Sequence, residues 1–269
     1  MEPLVKVEGL TKRYPRMHLP GSQEVVRALD SVSFSILPGT TFAVVGESGS
    51  GKTSLALCLA CLERPTSGRI WLNGHEVTRL EEPELRAIRP WVQMVFQDPV
   101  SSLNPRWRVQ EILTEPLAIQ GRFARKECMD RAATLLERVG LSADLASRRA
   151  QELSGGQRQR LAIARALVLE PKLLILDEAL SALDCSVQAH IANLLMELQI
   201  SLGLTYLFIT HDLAMAAHMA DEIAIMHDGG IAEHGAAERV LRLPHHETTK
   251  ALVAAVPRLN PNRFLPLER

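Results

Sequence analysis

The sequence predicts an α/β fold, and two apolar segments that end in polar residues support this prediction. The first, Thr41–Val45, is followed by a glycine-rich stretch and then by the helix-forming segment Leu55–Ala60. The second, Leu173–Leu176, has four consecutive apolar residues, which is typical of a strand buried on both faces in a parallel sheet. Asp177 and Glu178 follow it, at the carboxyl end where such sheets bind ligands.

The glycine-rich stretch fits the phosphate-binding pattern G-x-x-x-x-G-K-[ST]. Its residues are Gly46, Glu47, Ser48, Gly49, Ser50, Gly51, Lys52, Thr53 and Ser54. The glycines let the backbone bend so that successive N–H groups point inward and form an anion nest. A helix that begins near Lys52 adds the positive end of its dipole. Lys52 is expected to reach the terminal phosphates of a nucleotide, and the Thr53 hydroxyl to ligate Mg²⁺.

The N-terminal part is predicted to contain strands at residues 4–10 and 29–36, with a surface loop between them. The loop is predicted over Arg16–Gln23 because Pro15, Pro20 and Gly21 interrupt the alternation. Tyr14 lies just before this loop, where its ring could stack on a nucleotide base. A tyrosine at the end of a strand is more often structural, so its role depends on the rest of the chain.

The middle of the chain changes character, because residues 98–149 have helical periodicity at 109–119 and 125–139 and few strand signals. We predict a helical insertion here. Ser154, Gly155, Gly156 and Gln157 follow it at the start of another helix, a second place that favours an anion.

A further buried strand, Thr205–Thr210, ends at His211. A lone histidine is usually structural, but this one ends a strand parallel to the carboxylate strand and could approach a terminal phosphate. A hairpin around Asp228 and Gly229 and a short helix near 247–255 complete the predicted elements.

The composition excludes some classes of protein. A net charge of −1 argues against a nucleic-acid surface or a polybasic membrane anchor. No apolar run approaches the roughly 20 residues that span a bilayer. We therefore expect a cytosolic chain unless another protein holds it at a membrane.

These motifs together resemble the ATP-binding subunits of ATP-binding-cassette (ABC) transporters, from residue 4 to about 240. They occur in the family's order: an aromatic A-loop residue at Tyr14, Walker A at 46–53, the Q-loop at Gln97, the signature Leu153–Gln157, Walker B at 173–178, the D-loop at 181–184 and the switch histidine at His211. The resemblance implies a P-loop NTPase (RecA-like) core with an N-terminal antiparallel β subdomain and an inserted α-helical subdomain. It also implies an ATPase domain at 1–240, with the helical subdomain at about 98–157, and a C-terminal extension at 241–269.

The resemblance implies a role for each motif. Glu178 would be the general base for the attacking water, His211 its partner at the γ-phosphate, and Gln97 a sensor of Mg²⁺ and nucleotide. Mg²⁺ would be held by Thr53, Gln97 and Asp177, partly through water. The signature residues would cap ATP bound to a second ATP-binding subunit, the same or paralogous, in a head-to-tail dimer.

Two segments narrow the resemblance to the oligopeptide/dipeptide/nickel importer branch: Gln97–Arg106 and Thr249–Pro257. This branch implies import of peptides, nickel or a similar small solute through two transmembrane permease subunits, served indirectly by an extracytoplasmic solute-binding protein. The location implied is the cytoplasmic face of the inner (cell) membrane. One departure is Ala179–Leu180 after Glu178, where the family commonly has Pro-Thr; the chemistry is expected to survive because both carboxylates remain.

Two rival functions are weighed against the importer. A chromosome-maintenance or repair ATPase needs a long coiled coil between its halves, and the interval from 46 to 153 is too short and has no heptad run. A cassette of a soluble multienzyme complex, of the carbon–phosphorus lyase type, is excluded less firmly. Co-purification separates this complex from the importer: membrane proteins as partners support the importer, and soluble catalytic subunits support the complex.

Overall fold

The structure is a computed structural model, and it describes residues 2–19, 22–98, 102–121 and 123–256. The strands are β1 Val5–Leu19, β2 Ser22–Ile36, β3 Thr41–Val45, β4 Ser67–Leu72, β5 His75–Glu76, β6 Val92–Val95, β7 Leu173–Asp177, β8 Thr205–Thr210, β9 Glu222–His227 and β10 Gly230–Ala236. The helices are α1 Lys52–Leu59, α2 Glu82–Ile88, α3 Val109–Gln120, α4 Arg125–Arg138, α5 Gly155–Leu167, α6 Cys185–Leu202, α7 Leu213–Met219, α8 Ala237–Arg242 and α9 Glu247–Ala255.

The chain divides into two compact units. The first contains Met1–Leu80 together with Leu207–Arg269, and the second contains Glu81–Tyr206. The division falls inside β8. The first unit contains the β1–β2 and β4–β5 hairpins and the C-terminal elements, and the second unit contains the helix-rich middle of the chain.

The first unit has an antiparallel sheet in the order β2-β1-β4-β5. Its central strand, β1, pairs on both sides at its beginning, where Val5 lies opposite Ile36 of β2 and Leu72 of β4. The unit also has β3 parallel to β9, which is antiparallel to β10. All five residues of β3 are buried, and Phe42 stacks on Phe34 with ring centroids 4.8 Å apart. The apolar side chains of both sheets therefore contribute to one core.

The second unit has β6 parallel to β7 and most of the longer helices. All five residues of β7 are buried, as its apolar sequence predicts. Helix α3 ends where Gly121 adopts φ 65°, and α6 ends in the same way at Gly203. The predicted helical insertion is observed as α3 and α4, between β6 and β7.

The α/β fold with an N-terminal antiparallel sheet is confirmed. The surface loop predicted over Arg16–Gln23 is wrong, because β1 continues to Leu19 and β2 begins at Ser22. Pro15 lies within the ladder, opposite Val25. A proline is tolerated there because β4 pairs with β1 only as far as Thr11, which leaves β1 with one neighbour at Pro15. Pro20, Gly21, the predicted motif residues 99–101 and the end of the tail lie outside the described residues.

Candidate functional site

The phosphate loop joins β3 to α1 and depends on its glycines. Gly49 and Gly51 have φ values of 84° and 103°, in the left-handed region that glycine adopts readily. A Cβ at Gly51 would lie 2.1 Å from the carbonyl oxygen of Ala28, and a Cβ at Gly46 would lie 2.3 Å from that of Met226. The loop is therefore closely packed against neighbouring backbone, and only glycine fits at these two positions.

Lys52 carries the positive charge of this loop. Its side chain is buried, and Nζ donates hydrogen bonds of 2.8 Å to the carbonyl oxygens of Gly46 and Glu47. The Ser50 hydroxyl is also buried and has no hydrogen-bond partner within the part of the chain that the structure describes. A helix N-terminus, an ammonium group and an unsatisfied hydroxyl in one glycine-rich loop fit a phosphate group.

The turn between β9 and β10 supports the loop from outside. The Gly229 amide donates to the Ser50 carbonyl oxygen at 3.1 Å, and the Asp30 amide donates to the Gly229 carbonyl oxygen at 2.9 Å. The sequence predicted the turn at Asp228 and Gly229 but not its contact with a loop about 180 residues earlier. No local pattern predicts such a bond, because it depends on β9 lying beside β3.

Tyr14 lies inside β1, opposite Val26, and not at a strand end as predicted. Its hydroxyl donates a hydrogen bond of 2.5 Å to Glu63 Oε2 and lies 3.4 Å from the Ser54 hydroxyl oxygen. Burial and the bond to Glu63 raise the pKa of Tyr14. The hydrogen bonds from Tyr14 and Lys12 hold the pKa of Glu63 below its ordinary range. Tyr14 is thereby joined to the end of the phosphate loop.

His211 follows the last residue of β8 in the first unit, and its side chain is exposed. The next residue, Asp212, caps α7 by accepting hydrogen bonds from the amides of Ala214 and Met215, at 2.8 and 3.1 Å. The Asp212 amide also donates to the Thr210 hydroxyl at 3.0 Å. These bonds fix the backbone on both sides of His211.

Asp177 and Glu178 lie at the carboxyl end of β7 in the second unit. Asp177 is buried as the last strand residue, whereas Glu178 is partly exposed. Glu178 has a φ of 46°, which is uncommon for a residue with a side chain and recurs at functional sites. Its carbonyl oxygen accepts hydrogen bonds from the Ser181 amide at 3.1 Å and from the Ser181 hydroxyl at 2.8 Å. The turn after β7 is thus held by Ser181.

The signature residues form the N-terminus of α5. Ser154 caps the helix, since its Oγ accepts from the Gln157 amide at 3.3 Å while the Gln157 side chain accepts from the Ser154 amide at 2.9 Å. A Cβ at Gly156 would lie 3.0 Å from a methyl group of Val187 on α6. Gly155 and Gly156 begin the helix, so backbone amides are available at this end.

Gln97 lies two residues after β6 and is exposed.

Throughout the described ranges, no group of three or more His, Cys, Asp or Glu side chains could hold a metal ion by itself. No helix of the described chain is long and apolar enough to cross a membrane. Two supporting residues, Lys12 and Glu63, were not predicted from the sequence, and Gly229 was predicted as a turn residue but not as a support of the phosphate loop. The first two are charged residues at a strand and after a helix, and nothing in their spacing signals that they meet.

A phosphate loop after a buried strand, together with an inserted helical segment, is the arrangement of a P-loop NTPase. The family model for the ABC transporter matches residues 29–181. The probable peptide ABC transporter ATP-binding protein y4tS of Sinorhizobium fredii is 48% identical over 98% of this chain and 76% of its own length. The dipeptide transport ATP-binding protein DppF of Escherichia coli K12 is 42% identical over 97% of this chain and 78% of its own.

Among solved structures, the dimeric ATP-binding cassette MJ0796 bound to ADP and Pi has a TM-score of 0.76 with this chain. It is 30% identical, and the match covers 87% of this chain and 98% of that one. The chain belongs to the ABC transporter family, as an ATP-binding, ATP-hydrolysing cassette. The resemblance inferred from the motifs is confirmed.

Proposed function

We propose that this chain is the ATP-hydrolysing motor subunit of an importer. The importer would carry peptides, nickel or a similar small solute through separate transmembrane subunits. Two observations support the solute class. The relatives y4tS and DppF, which match over 76% and 78% of their own length, are named for peptide and dipeptide transport. A third relative, the glutathione import ATP-binding protein GsiA of Escherichia coli K12, is 43% identical, and the match covers 98% of this chain and 43% of GsiA.

The observation that carries the motor function is the phosphate loop with Lys52 inside it. We propose that its residues, Gly46 to Ser54, bind the phosphates of ATP and that Tyr14 contacts the base. The buried Ser50 hydroxyl and the glycine-lined backbone support a phosphate as the ligand. Thr53, Asp177 and Gln97 would hold Mg²⁺, whose chemistry is to neutralise charge on the phosphate oxygens.

Glu178, His211 and Gln97 are proposed as the catalytic residues. The Glu178 carboxylate would accept the proton of the attacking water, and His211 would donate a hydrogen bond to the terminal phosphate. The left-handed backbone of Glu178 and its support from Ser181 favour a carboxylate held in one orientation. The hydrogen bond that Asp212 accepts at the start of α7 likewise favours a fixed orientation for the neighbouring His211.

We propose that Ser154, Gly155, Gly156 and Gln157 act on ATP bound by a second cassette. The exposed, capped N-terminus of α5 supports this, because its amides and dipole favour an anion brought by another molecule. The dimeric state of the relative MJ0796 supports a dimer of cassettes, which we propose to be head-to-tail. The second cassette is either another copy of this chain or a paralogue.

The remaining proposals concern assembly and domain bounds. We propose two permease subunits as partners, an extracytoplasmic solute-binding protein acting through them, and no nucleic acid, in keeping with the net charge of −1. The chain would lie at the cytoplasmic face of the inner membrane. Residues 1–240 would form the ATPase domain, with its helical part at about 98–157, and residues 241–269 a C-terminal extension.

Affinity purification of the tagged chain from detergent-solubilised membranes tests the importer. We expect two polytopic membrane proteins and a second cassette to co-purify with it. Co-purification with soluble catalytic subunits instead would overturn the importer and support the carbon–phosphorus lyase type of complex. An untagged culture treated identically controls for adventitious binding to the resin.

A further inference from the structure

Tyr14 is held by two charged residues that come from different elements of the first unit. Its hydroxyl donates to Glu63 Oε2 at 2.5 Å, and Glu63 Oε2 in turn lies 2.9 Å from Lys12 Nζ. Lys12 Nζ also lies 4.9 Å from the centre of the Tyr14 ring. Lys12, Tyr14 and Glu63 therefore form one cluster, which we name the Tyr14 clamp.

The clamp connects the ring to the helix that begins at the phosphate loop. Glu63 follows α1, and its amide donates to the carbonyl oxygen of Leu57 within that helix at 3.2 Å. Lys12 Nζ donates a second bond, at 2.8 Å, to the carbonyl oxygen of Arg64. Because α1 begins at Lys52, one helix sets both the position of the ammonium group in the loop and the anchor of the tyrosine hydroxyl.

We propose that Glu63 and Lys12 are positioning residues that hold the Tyr14 ring in the orientation that stacks on the nucleotide base. This inference rests on the proposed role of Tyr14 at the base. A tyrosine ring offers its face to a base and its hydroxyl to an anchor, and fixing the hydroxyl reduces the conformational entropy that stacking must overcome. Glu63 and Lys12 do not touch the nucleotide in this proposal.

The charge states suit this purpose. Burial raises the pKa of Tyr14, and the hydrogen bond to Glu63 is the next largest cause of the rise. The phenol therefore remains a neutral donor. Burial by itself lowers the pKa of Lys12, but the hydrogen bond and the charge of Glu63 outweigh it and raise the pKa. At neutral pH the cluster is therefore a phenol donor and an ammonium group on one carboxylate.

The test compares the binding of Mg-ATP and of inorganic triphosphate with Mg²⁺ by titration calorimetry, using the full chain. Triphosphate uses the phosphate loop but has no base to stack. We expect Glu63→Gln and Tyr14→Phe each to raise the Kd for ATP about three- to tenfold, and Tyr14→Ala to raise it about tenfold or more. The Kd for triphosphate is expected to stay unchanged in all three variants.

Two further measurements separate positioning from simple stabilisation. The double variant Tyr14→Phe with Glu63→Gln is expected to bind ATP no more weakly than Tyr14→Phe alone, because Tyr14→Phe already removes the bond that Glu63→Gln weakens. Glu8→Gln is the matched control: Glu8 is another acidic residue of this unit, in an exposed ion pair with Lys6 at 2.7 Å, and its variant is expected to bind ATP normally.

The outcomes distinguish this inference from the proposed function. If Tyr14→Ala weakens ATP binding but Glu63→Gln and Tyr14→Phe do not, the clamp is wrong and the role of Tyr14 stands. If Tyr14→Ala binds ATP normally, the role of Tyr14 at the base fails and the clamp fails with it, while the importer function is unaffected. If Glu63→Gln weakens ATP and triphosphate equally, Glu63 is only structural.

Discussion

The hydroxyl of Ser181 donates a hydrogen bond of 2.8 Å to the backbone carbonyl oxygen of Glu178, the residue we propose as the general base. Glu178 has a φ of 46°, so its backbone lies in a region that side-chain-bearing residues seldom adopt. The Ser181 amide donates to the same carbonyl oxygen at 3.1 Å. Ser181 thus stabilises the backbone conformation that orients the Glu178 carboxylate.

Replacing Ser181 with alanine is expected to lower kcat for ATP hydrolysis about tenfold, because a misdirected base costs about 1.4 kcal/mol of transition-state stabilisation. ATP binding is expected to remain normal, and Ser181→Thr to recover activity by restoring the hydroxyl. The matched control is Ser201→Ala, which removes a hydroxyl bond to the Leu198 carbonyl at the end of α6. A normal kcat in Ser181→Ala would contradict this prediction.

Glu178→Gln is expected to bind ATP and retain it, giving a stable dimer with little hydrolysis. The amide cannot accept the proton of the attacking water, while the shape of the side chain is preserved. Phosphate release measures hydrolysis, and light scattering measures the dimer. Glu197→Gln, at an exposed site on α6, is the control. Hydrolysis by Glu178→Gln at the unmodified rate would exclude Glu178 as the base.

The glycines of the phosphate loop are expected to differ in their tolerance of alanine. Gly49 has open space where a Cβ would lie, so Gly49→Ala should cost only the left-handed strain of about 1–2 kcal/mol. Gly51→Ala adds an overlap with the Ala28 carbonyl oxygen and should cost about 1–3 kcal/mol more, with loss of ATP binding. Urea unfolding and ATP titration check this order, and equal stability of the two variants would be inconsistent with the packing described.

Glu233 is expected to make the attachment of α9 dependent on pH. Its largely buried carboxylate accepts hydrogen bonds from the amides of His245 and His246, at 3.1 and 3.0 Å, just before the helix. Burial alone would raise the pKa of Glu233, but these bonds outweigh it and lower the pKa. The stabilisation is therefore fully present above the ordinary glutamate pKa of about 4.3 and is lost as the pH falls through the lower folded value.

Glu233→Gln should accordingly destabilise α9 by about 1–3 kcal/mol at neutral pH, because a neutral amide accepts less strongly than a carboxylate. Hydrogen exchange of the α9 amides measures the effect, and the difference between the two proteins should shrink below about pH 4. Glu238→Gln, in an exposed ion pair with Arg242, is the control. A difference that persists unchanged at low pH would argue against the carboxylate cap.

The sequence by itself determined the identity of most elements and the nucleotide-binding motifs. Continuous apolar runs predicted β3 and β7, and helical periodicity predicted α3 and α4. In these elements the spacing of apolar residues along the chain determines which of them are buried. The glycine pattern before Lys52 predicted an anion loop for the same local reason, since glycine readily adopts the positive φ values that such a loop needs.

Only the tertiary structure decided the surroundings of Tyr14 and the support of the loop. Pro15 and Pro20 suggested a break after Tyr14, but pairing with β2 provides hydrogen bonds that continue β1 past the first proline. Glu63 reaches Tyr14 across 49 positions, and Gly229 reaches Ser50 across 179. Such contacts depend on which strands become neighbours in the sheets, and this is set by the packing of the whole core rather than by any local propensity.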